Sequence, residues 1–277
     1  MIIAGDDWRE TFRPDIPSPA RMYNYFLGGK DHFDADRKAA EQVIAALPDA
    51  LVFARQNRAF LRRAVRYLVT ECGIRQIIDI GTGLPSEGNV HEVAQDCDPG
   101  VRVVYVDHDP VVLAHGRNML SGVPGTAIIG RDLLDPAGIL ADEELLGLID
   151  FTEPVAVLLL AVVHYINDDA QPADLIGQLV RPLAPGSYLA LSHATSDRRP
   201  REAQTLERIY RGTTTAVHAR TRDQVLGLLG DDLELVEPGL VWASQWRPDP
   251  DAVPDAVPAG DPKDSSVYAA VARKPGG

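Results

Sequence analysis

Cysteine is almost missing from this chain: Cys72 and Cys97 are the only two in 277 residues. Two thiols are too few for a disulfide framework or a cysteine-built zinc site, and a reducing cytoplasm is the natural setting. Long apolar runs are missing too. No stretch approaches the roughly 18 consecutive apolar residues of a membrane span, and the start M-I-I-A-G-D-D-W has no basic region followed by an apolar core. Neither a membrane span nor a signal peptide is therefore expected. Positive charge is in deficit, with a formal net charge of −13. That excess of carboxylates argues against broad contact with nucleic acid or anionic membrane, which require cationic surface, although a local basic patch is compatible with it. Aromatic residues make up only 6%. The length suffices for one large α/β domain with extensions.

What the chain does contain is a stretch around which the rest can be organised, Gln76 to Gly83, reading Q-I-I-D-I-G-T-G. Hydrophobic β-formers run into a carboxylate and two glycines, the pattern of a buried parallel strand turning into a loop. A side chain at Gly81 or Gly83 would stand between the main chain and a bound ligand, so the loop reads as a close-approach site. A tight strand-to-helix turn without a ligand is the alternative reading of these eight residues.

Residues 1–16 are polar and aperiodic and read as loose. Ser18 can cap and Pro19 can open a short helix stopped by Gly28-Gly29. A second helix is expected over Asp34 to Leu47 and a third over Asp49 to Glu71, stopped by Gly73. On the third, Arg55, Arg58, Arg62 and Arg66 share one stripe beside a core face of Phe60, Leu61, Ala64, Val65 and Leu68. The stripe reads either as a solvated face or as a set from which Arg58 reaches an anionic group. From Gln76 the chain alternates strands and helices, with strands at Val101 to Asp107, Thr126 to Gly130, Val155 to Val163 and Ser187 to Ser192. Helices open at Asp109-Pro110 and Asp135-Pro136, and another spans Ala170 to Arg181. This rhythm implies a doubly wound parallel sheet. After helices near Arg201 to Tyr210 and Arg222 to Leu229, the latter opened by a Thr221/Gln224 capping box, the segments Leu233 to Glu237, Leu240 to Trp246 and Val267 to Arg273 follow without an intervening helix. A terminal antiparallel pair is expected there. Pro248 to Asp264, with its echo D-A-V-P-D-A-V-P, reads as an exposed loop.

Four features fall at the carboxyl ends of successive strands, where open α/β sheets bind ligands. They are Asp79 with Gly81 and Gly83, Asp107, Asp132, and the run Ala161 to Tyr165. Each alone has a bland reading as a cap, a turn or a packed strand end. Together they fit an adenosine-containing ligand, because one carboxylate can accept both ribose hydroxyls and a second the exocyclic amine. A nicotinamide dinucleotide is the first competitor, but its fingerprint requires a third glycine where this chain has Ser86, followed by Glu87, beside a pyrophosphate. S-adenosylmethionine has no phosphates and carries an amino group and a sulfonium that suit an acidic site.

With D-I-G-T-G, V-D-H-D-P, R-D-L-L-D-P and L-L-L-A-V-V-H-Y-I in order, the sequence resembles the class I S-adenosylmethionine-dependent methyltransferases. More narrowly, S-P-A-R-M-Y-N-Y-F-L-G-G-K-D-H-F, R-Q-N-R-A-F-L-R-R-A-V and I-D-I-G-T-G-L-P are similar to a bacterial S-adenosyl methyltransferase family once listed as a domain of unknown function, from about Pro17 to Lys274. The resemblance implies a Rossmann-like, seven-stranded sheet with the last strand reversed. It implies residues 1–72 as a helical cap or lid and 73–277 as the methyltransferase domain. By that match Gly81, Thr82 and Gly83 approach the methionine and ribose portion. Asp107 holds the ribose hydroxyls with His108 against the adenine, and Asp132 with Leu133 binds the adenine edge. Arg58, Asp79 and Ala161 join the same cofactor site, and Met22, Tyr23 and Tyr25 close over it.

Methyl transfer asks little of side chains beyond orientation, exclusion of water and, for some acceptors, a base. Related enzymes carry an acceptor-side residue just past the fourth strand, which makes His164 the catalytic candidate, with His193 in reserve. No histidine shows metal-ligand spacing, so no metal is expected. The reading is a methyltransferase acting on oxygen or nitrogen of a small molecule, with no nucleic-acid or membrane partner and with a homodimer left open. A non-catalytic protein that binds or senses the cofactor, and an NAD-dependent oxidoreductase, are the competing classes.

Overall fold

The computed structural model describes residues 13–248 and 266–276. Most of residues 1–16, expected to be loose, and of Pro248 to Asp264, expected to be an exposed loop, lies outside the described residues. The chain opens with three helices, α1 (Pro19–Phe26), α2 (Asp34–Ala46) and α3 (Ala50–Thr70). Strand β1 (Gln76–Ile80), α4 (Val90–Cys97), β2 (Arg102–Asp107), α5 (Pro110–Met119) and β3 (Thr126–Gly130) follow. Two short helices, α6 (Pro136–Leu140) and α7 (Glu143–Leu146), lead to β4 (Ala156–Leu160), and α8 (Pro172–Val180) leads to β5 (Tyr188–Ala194). The last part contains α9 (Pro200–Tyr210), α10 (Arg222–Gly227), β6 (Glu234–Leu235), β7 (Val241–Trp242) and β8 (Val267–Arg273).

The sheet order is β3-β2-β1-β4-β5-β8-β6, with β7 also paired to β8. Strands β1 to β5 are mutually parallel, and β8 runs antiparallel to β5, β6 and β7. The described residues form eight strands rather than the expected seven. The extra one arises because β6 and β7 lie end to end beside the same edge of β8, pairing Glu234 with Arg273 and Val241 with Ala269. Between them lie Pro238, which has no N–H for the ladder, and Gly239 at φ +83°.

Alternation within each buried strand explains how the sheet is covered on both faces. Ile77, Val103 and Leu158 join one core with Phe60, Leu61, Ala64, Val65 and Leu68 of α3, while Ile78, Val104 and Val157 join the opposite core with Leu175, Ile176 and Leu179 of α8. The third N-terminal helix thus packs on the sheet itself. Helices α1 and α2 belong to a separate cluster, in which Met22, Phe26, Ala40 and Val43 meet Tyr210 of α9 and Val217. Two differences from the expected elements bear on the site. Strand β4 stops at Leu160 instead of Val163, because Ala161 takes φ +56° and the chain enters a one-turn 3-10 helix at Val163–Tyr165. Ser18 does not cap α1; its hydroxyl donates to Asp109 across the chain at 3.1 Å.

Candidate functional site

The carboxyl end of β1 sets the geometry. Gly81 has φ +73°, and a Cβ there would lie 2.2 Å from the Val162 side chain, so only glycine lets the loops after β1 and β4 meet. Gly83, at φ +68°, faces open space in which an added Cβ meets nothing within 4 Å. Its N–H donates to the Asp107 carboxylate at 2.9 Å, and the other Asp107 oxygen accepts from the Asp109 amide at 2.9 Å. The glycine loop and the end of β2 are therefore tied together, with each carboxylate oxygen retaining a further lone pair. Burial pushes the Asp107 carboxyl above its usual range, against those two hydrogen bonds. Asp79 is buried as well, and burial raises it to about 6, opposed by a hydrogen bond from Thr82 and the charge of Arg58.

The loop after Gly83 runs to α4, whose first turn is closed by its own side chains. The Asn89 amide donates to the Glu92 carboxylate at 2.8 Å, and the Ser86 amide donates to Asn89 Oδ1 at 3.0 Å. A carboxylate already sits at this helix N-terminus, where a pyrophosphate would meet like charge, which argues against a dinucleotide. Arg58 reaches over from α3 and donates to the carbonyls of Glu87 at 3.1 Å and Gly88 at 2.7 Å. Its Nε is buried and has no partner among the described residues. An unsatisfied guanidinium N–H beside the buried Asp79 carboxylate suits a zwitterionic amino-acid group.

These groups line a cleft of about 450 Å³. Tyr23, Arg58, Asp79, Gly81, Thr82, Gly83, Asp107, His108, Asp132, Leu133 and Ala161 all border it. Met22 does not: it is fully buried among the N-terminal helices, one residue behind Tyr23. Tyr25 also stays outside the cleft, its ring edge-on to His32 at 5.1 Å. Asp132 uses one oxygen to accept from the Leu134 amide at 2.9 Å, and Asp109 caps α5 by accepting from Val111.

Several lining residues had no readable signal. Asn57 donates to the Tyr23 hydroxyl at 2.9 Å and accepts from Ser192, whose Oγ in turn accepts from the Ala161 amide at 2.9 Å. This chain of bonds joins α1, α3, β5 and the end of β4 beneath the roof of the cleft. Thr214 and Thr215 come from the connection after α9, and the Thr214 amide donates to Pro17 O at 2.9 Å. Nothing in local sequence connects positions so far apart.

His164 stands elsewhere. It lines a second, smaller cavity of about 70 Å³ that shares Tyr23 and Tyr165 with the cleft. Its Nδ1 accepts from the Ala194 amide at 3.4 Å, so the neutral ring carries its proton on Nε2. Burial, followed by the charges of His193, Arg220 and His218, holds its pKa well below the ordinary value. Such a ring is a hydrogen-bond donor at Nε2 and poorly suited to the role of base expected from the sequence. His193 is also neutral, its pKa lowered by burial to about 3. Both ring nitrogens are engaged, Nδ1 with Ala194 O at 2.7 Å and Nε2 with Arg220 Nη1 at 2.9 Å. Among the described residues, no group of three or more His, Cys, Asp or Glu is arranged to hold a metal, and no helix is long and apolar enough to cross a membrane.

Residues 8–275 match the model of the S-adenosyl methyltransferase family. A crystal structure of a DUF574-family protein from Streptomyces avermitilis MA-4680 is 40% identical, with 95% of this chain and 100% of that chain covered and a TM-score of 0.89. A provisionally named methyltransferase from Thermobifida fusca YX is also 40% identical, over 95% of this chain and 96% of that one, with a TM-score of 0.86. An O-methyltransferase family protein from Burkholderia thailandensis, 14% identical over 97% of this chain and 67% of that one, shares the fold at a TM-score of 0.54. No curated protein matches. By the family model and the two 40% identical structures, the chain belongs to the S-adenosyl methyltransferase family and is a methyltransferase whose cofactor is S-adenosylmethionine.

Proposed function

We propose that the protein transfers a methyl group to an oxygen or nitrogen atom of a small molecule, in the reducing cytoplasm of a bacterium. One observation carries the cofactor part of this reading: the sheet order lines up Asp132 and Leu133, then Asp107 and His108, then Asp79 with Gly81 to Gly83, along a single edge. That sequence of groups suits adenine, ribose and amino acid in turn. Asp132 and Leu133 take the adenine edge, with His108 against its face. Asp107, held by two backbone amides, accepts the ribose hydroxyls with its remaining lone pairs. Asp79 faces the ammonium and Arg58 the carboxylate, while Gly83 leaves room for the main chain to approach.

Of the helices before residue 73, α1 acts as the lid with α2 packed behind it, while α3 belongs to the core of the sheet. Tyr23 and Ser18 roof the cleft, Ser18 is fastened to Asp109, and Met22 packs behind to keep α1 in place. A closed roof excludes water from a sulfonium. When bound, S-adenosylmethionine supplies an electrophilic methyl carbon whose bond to sulfur breaks with its electron pair left on sulfur. The free thiols Cys72 and Cys97 agree with a reducing compartment. The acidic surface and the roofed cleft favour a small acceptor over a polymer.

Isothermal titration calorimetry tests the reading. S-adenosylmethionine and S-adenosylhomocysteine are expected to bind at micromolar strength, about −8 kcal/mol, and NADH not at all. Asp107→Ala removes a charge-assisted hydrogen bond worth about 1.5–3 kcal/mol, so affinity falls tenfold to a hundredfold. Unchanged affinity in that variant, or binding of NADH in place of the other two, would sink the assignment. Tight cofactor binding with no transfer to any acceptor class would favour the sensing alternative.

A further inference from the structure

The strand order that lines up a cofactor over β3, β2 and β1 leaves the ends of β4 and β5 to whatever receives the methyl group. There the smaller cavity opens, between the 3-10 turn after β4, the end of β5 at Ala194 and Thr195, and helices α2, α3 and α9. It adjoins the cleft through the shared Tyr23 and Tyr165. Although aromatics are scarce in this chain, two of its six phenylalanines, Phe26 and Phe53, and three of its eight tyrosines, Tyr23, Tyr165 and Tyr210, line this one cavity.

Resting on the reading above, we propose that this cavity is the acceptor site and that it selects a neutral apolar hydroxyl compound, with the hydroxyl oxygen taking a hydrogen bond from His164 Nε2–H. Charge argues for a neutral guest. Burial raises the Tyr165 and Tyr210 hydroxyls, Tyr210 to about 12, so both remain uncharged. Arg199 at the rim is engaged with Asp49 at 2.6 Å. Glu202 is the one carboxylate lining the cavity among the described residues, and it would repel an anionic acceptor.

Oxygen is favoured over nitrogen by lone-pair count. A hydroxyl oxygen has two lone pairs, so one accepts from His164 while the other remains for the methyl carbon. An amine has a single pair, and a bond from His164 would consume its nucleophile. In the transfer the O–C bond forms, the S–C bond breaks with its electron pair on sulfur, and the hydroxyl proton passes to the Glu202 carboxylate. At about 70 Å³ the cavity holds only a few water-sized groups, so one edge of a ring enters and the remainder lies in the opening.

The test uses the full chain saturated with S-adenosylhomocysteine and three probes of matched shape: phenol, cyclohexanol and aniline. At least one hydroxyl compound is expected to bind, fivefold or more tighter than aniline, and which one it is separates aromatic from saturated acceptors. Leu206→Trp, which fills this cavity without touching the cleft, should weaken that binding tenfold or more and leave S-adenosylhomocysteine affinity within twofold. His164→Leu should erase the preference for oxygen, and His164→Asn, which keeps a side-chain N–H, should retain part of it. With S-adenosylmethionine, mass spectrometry should find the methyl ether. Failure of both hydroxyl compounds to bind, equal binding in Leu206→Trp, or a preference for aniline overturns the acceptor site while the cofactor reading stands. Failure of S-adenosylhomocysteine to bind wild type overturns the cofactor reading, and the acceptor site with it.

Discussion

Asp36→Ala should lower the unfolding free energy by about 3–5 kcal/mol, the expected cost of stranding one member of a buried ion pair. Asp36 is fully buried and Arg21 is 3% exposed, with Nε–Oδ2 at 2.8 Å. The same carboxylate accepts from the amides of Ser18 and Phe33, both at 2.8 Å, and Arg21 also donates to Ile16 O at 2.6 Å. Removing Asp36 thus leaves a desolvated guanidinium and two unsatisfied amides, one just before each of α1 and α2. Because a protein's net stability is about 5–15 kcal/mol, most of it could be lost. Urea unfolding followed by circular dichroism measures the effect, and a loss below about 1 kcal/mol would mean that the pair behaves as a surface salt bridge. Arg21→Met combined with Asp36→Leu should recover much of the loss, since replacing both charges removes the stranded one. The pair fixes the segment that roofs the cleft, so Asp36→Ala should also weaken cofactor binding even though Asp36 does not line the site.

The strand ends were readable in the sequence because a parallel strand buried on both faces must be apolar until it turns, and the turn must carry groups that tolerate exposure and positive φ. Gln76 to Gly83 and Asp107 followed that logic closely. His164 did not. The apolar run V-V continues past Leu160, and apolar continuity cannot distinguish a strand residue from one buried under a 3-10 turn. The bend at Ala161 turns His164 away from the cleft and into the neighbouring cavity. Ser18 shows the same limit at a helix start: its type and position fit a cap, yet the Asp109 carboxylate, 91 positions away, is the partner its hydroxyl finds. Asn57, Thr214 and Thr215 were silent for a related reason, since their roles arise only when α3 and the connection after α9 are packed together. Leu233 to Glu237 and Leu240 to Trp246 read as separate segments in the sequence, but that both line the same edge of β8 is visible only in the sheet.

Asp79→Asn should stabilise the cofactor-free protein while weakening its hold on the cofactor. Burial raises the Asp79 carboxyl from 3.8 to about 6, so the folded state resists its ionisation. A carboxyl whose folded pKa lies above its unfolded value loses stability as pH rises through the window between them, here from about 4 to about 6. Above that window the full penalty applies, about 3 kcal/mol. Asparagine carries no charge, keeps an oxygen to accept from Thr82, and escapes the penalty. Thermal unfolding at pH 7.5 should show the variant melting about 6 °C higher than wild type, with the gap closing as pH approaches 4. A lower melting temperature at pH 7.5, or a gap independent of pH, would show that Asp79 is paired well enough by Arg58 and Thr82 to be neutral for the fold. For the cofactor the sign reverses: an ammonium beside Asp79 favours the ionised carboxylate, so affinity in wild type should fall as pH drops through about 6, and the variant should lose both the affinity and its pH dependence. A buried charge that destabilises the empty protein and strengthens the loaded one has its explanation in the ligand, not in the fold.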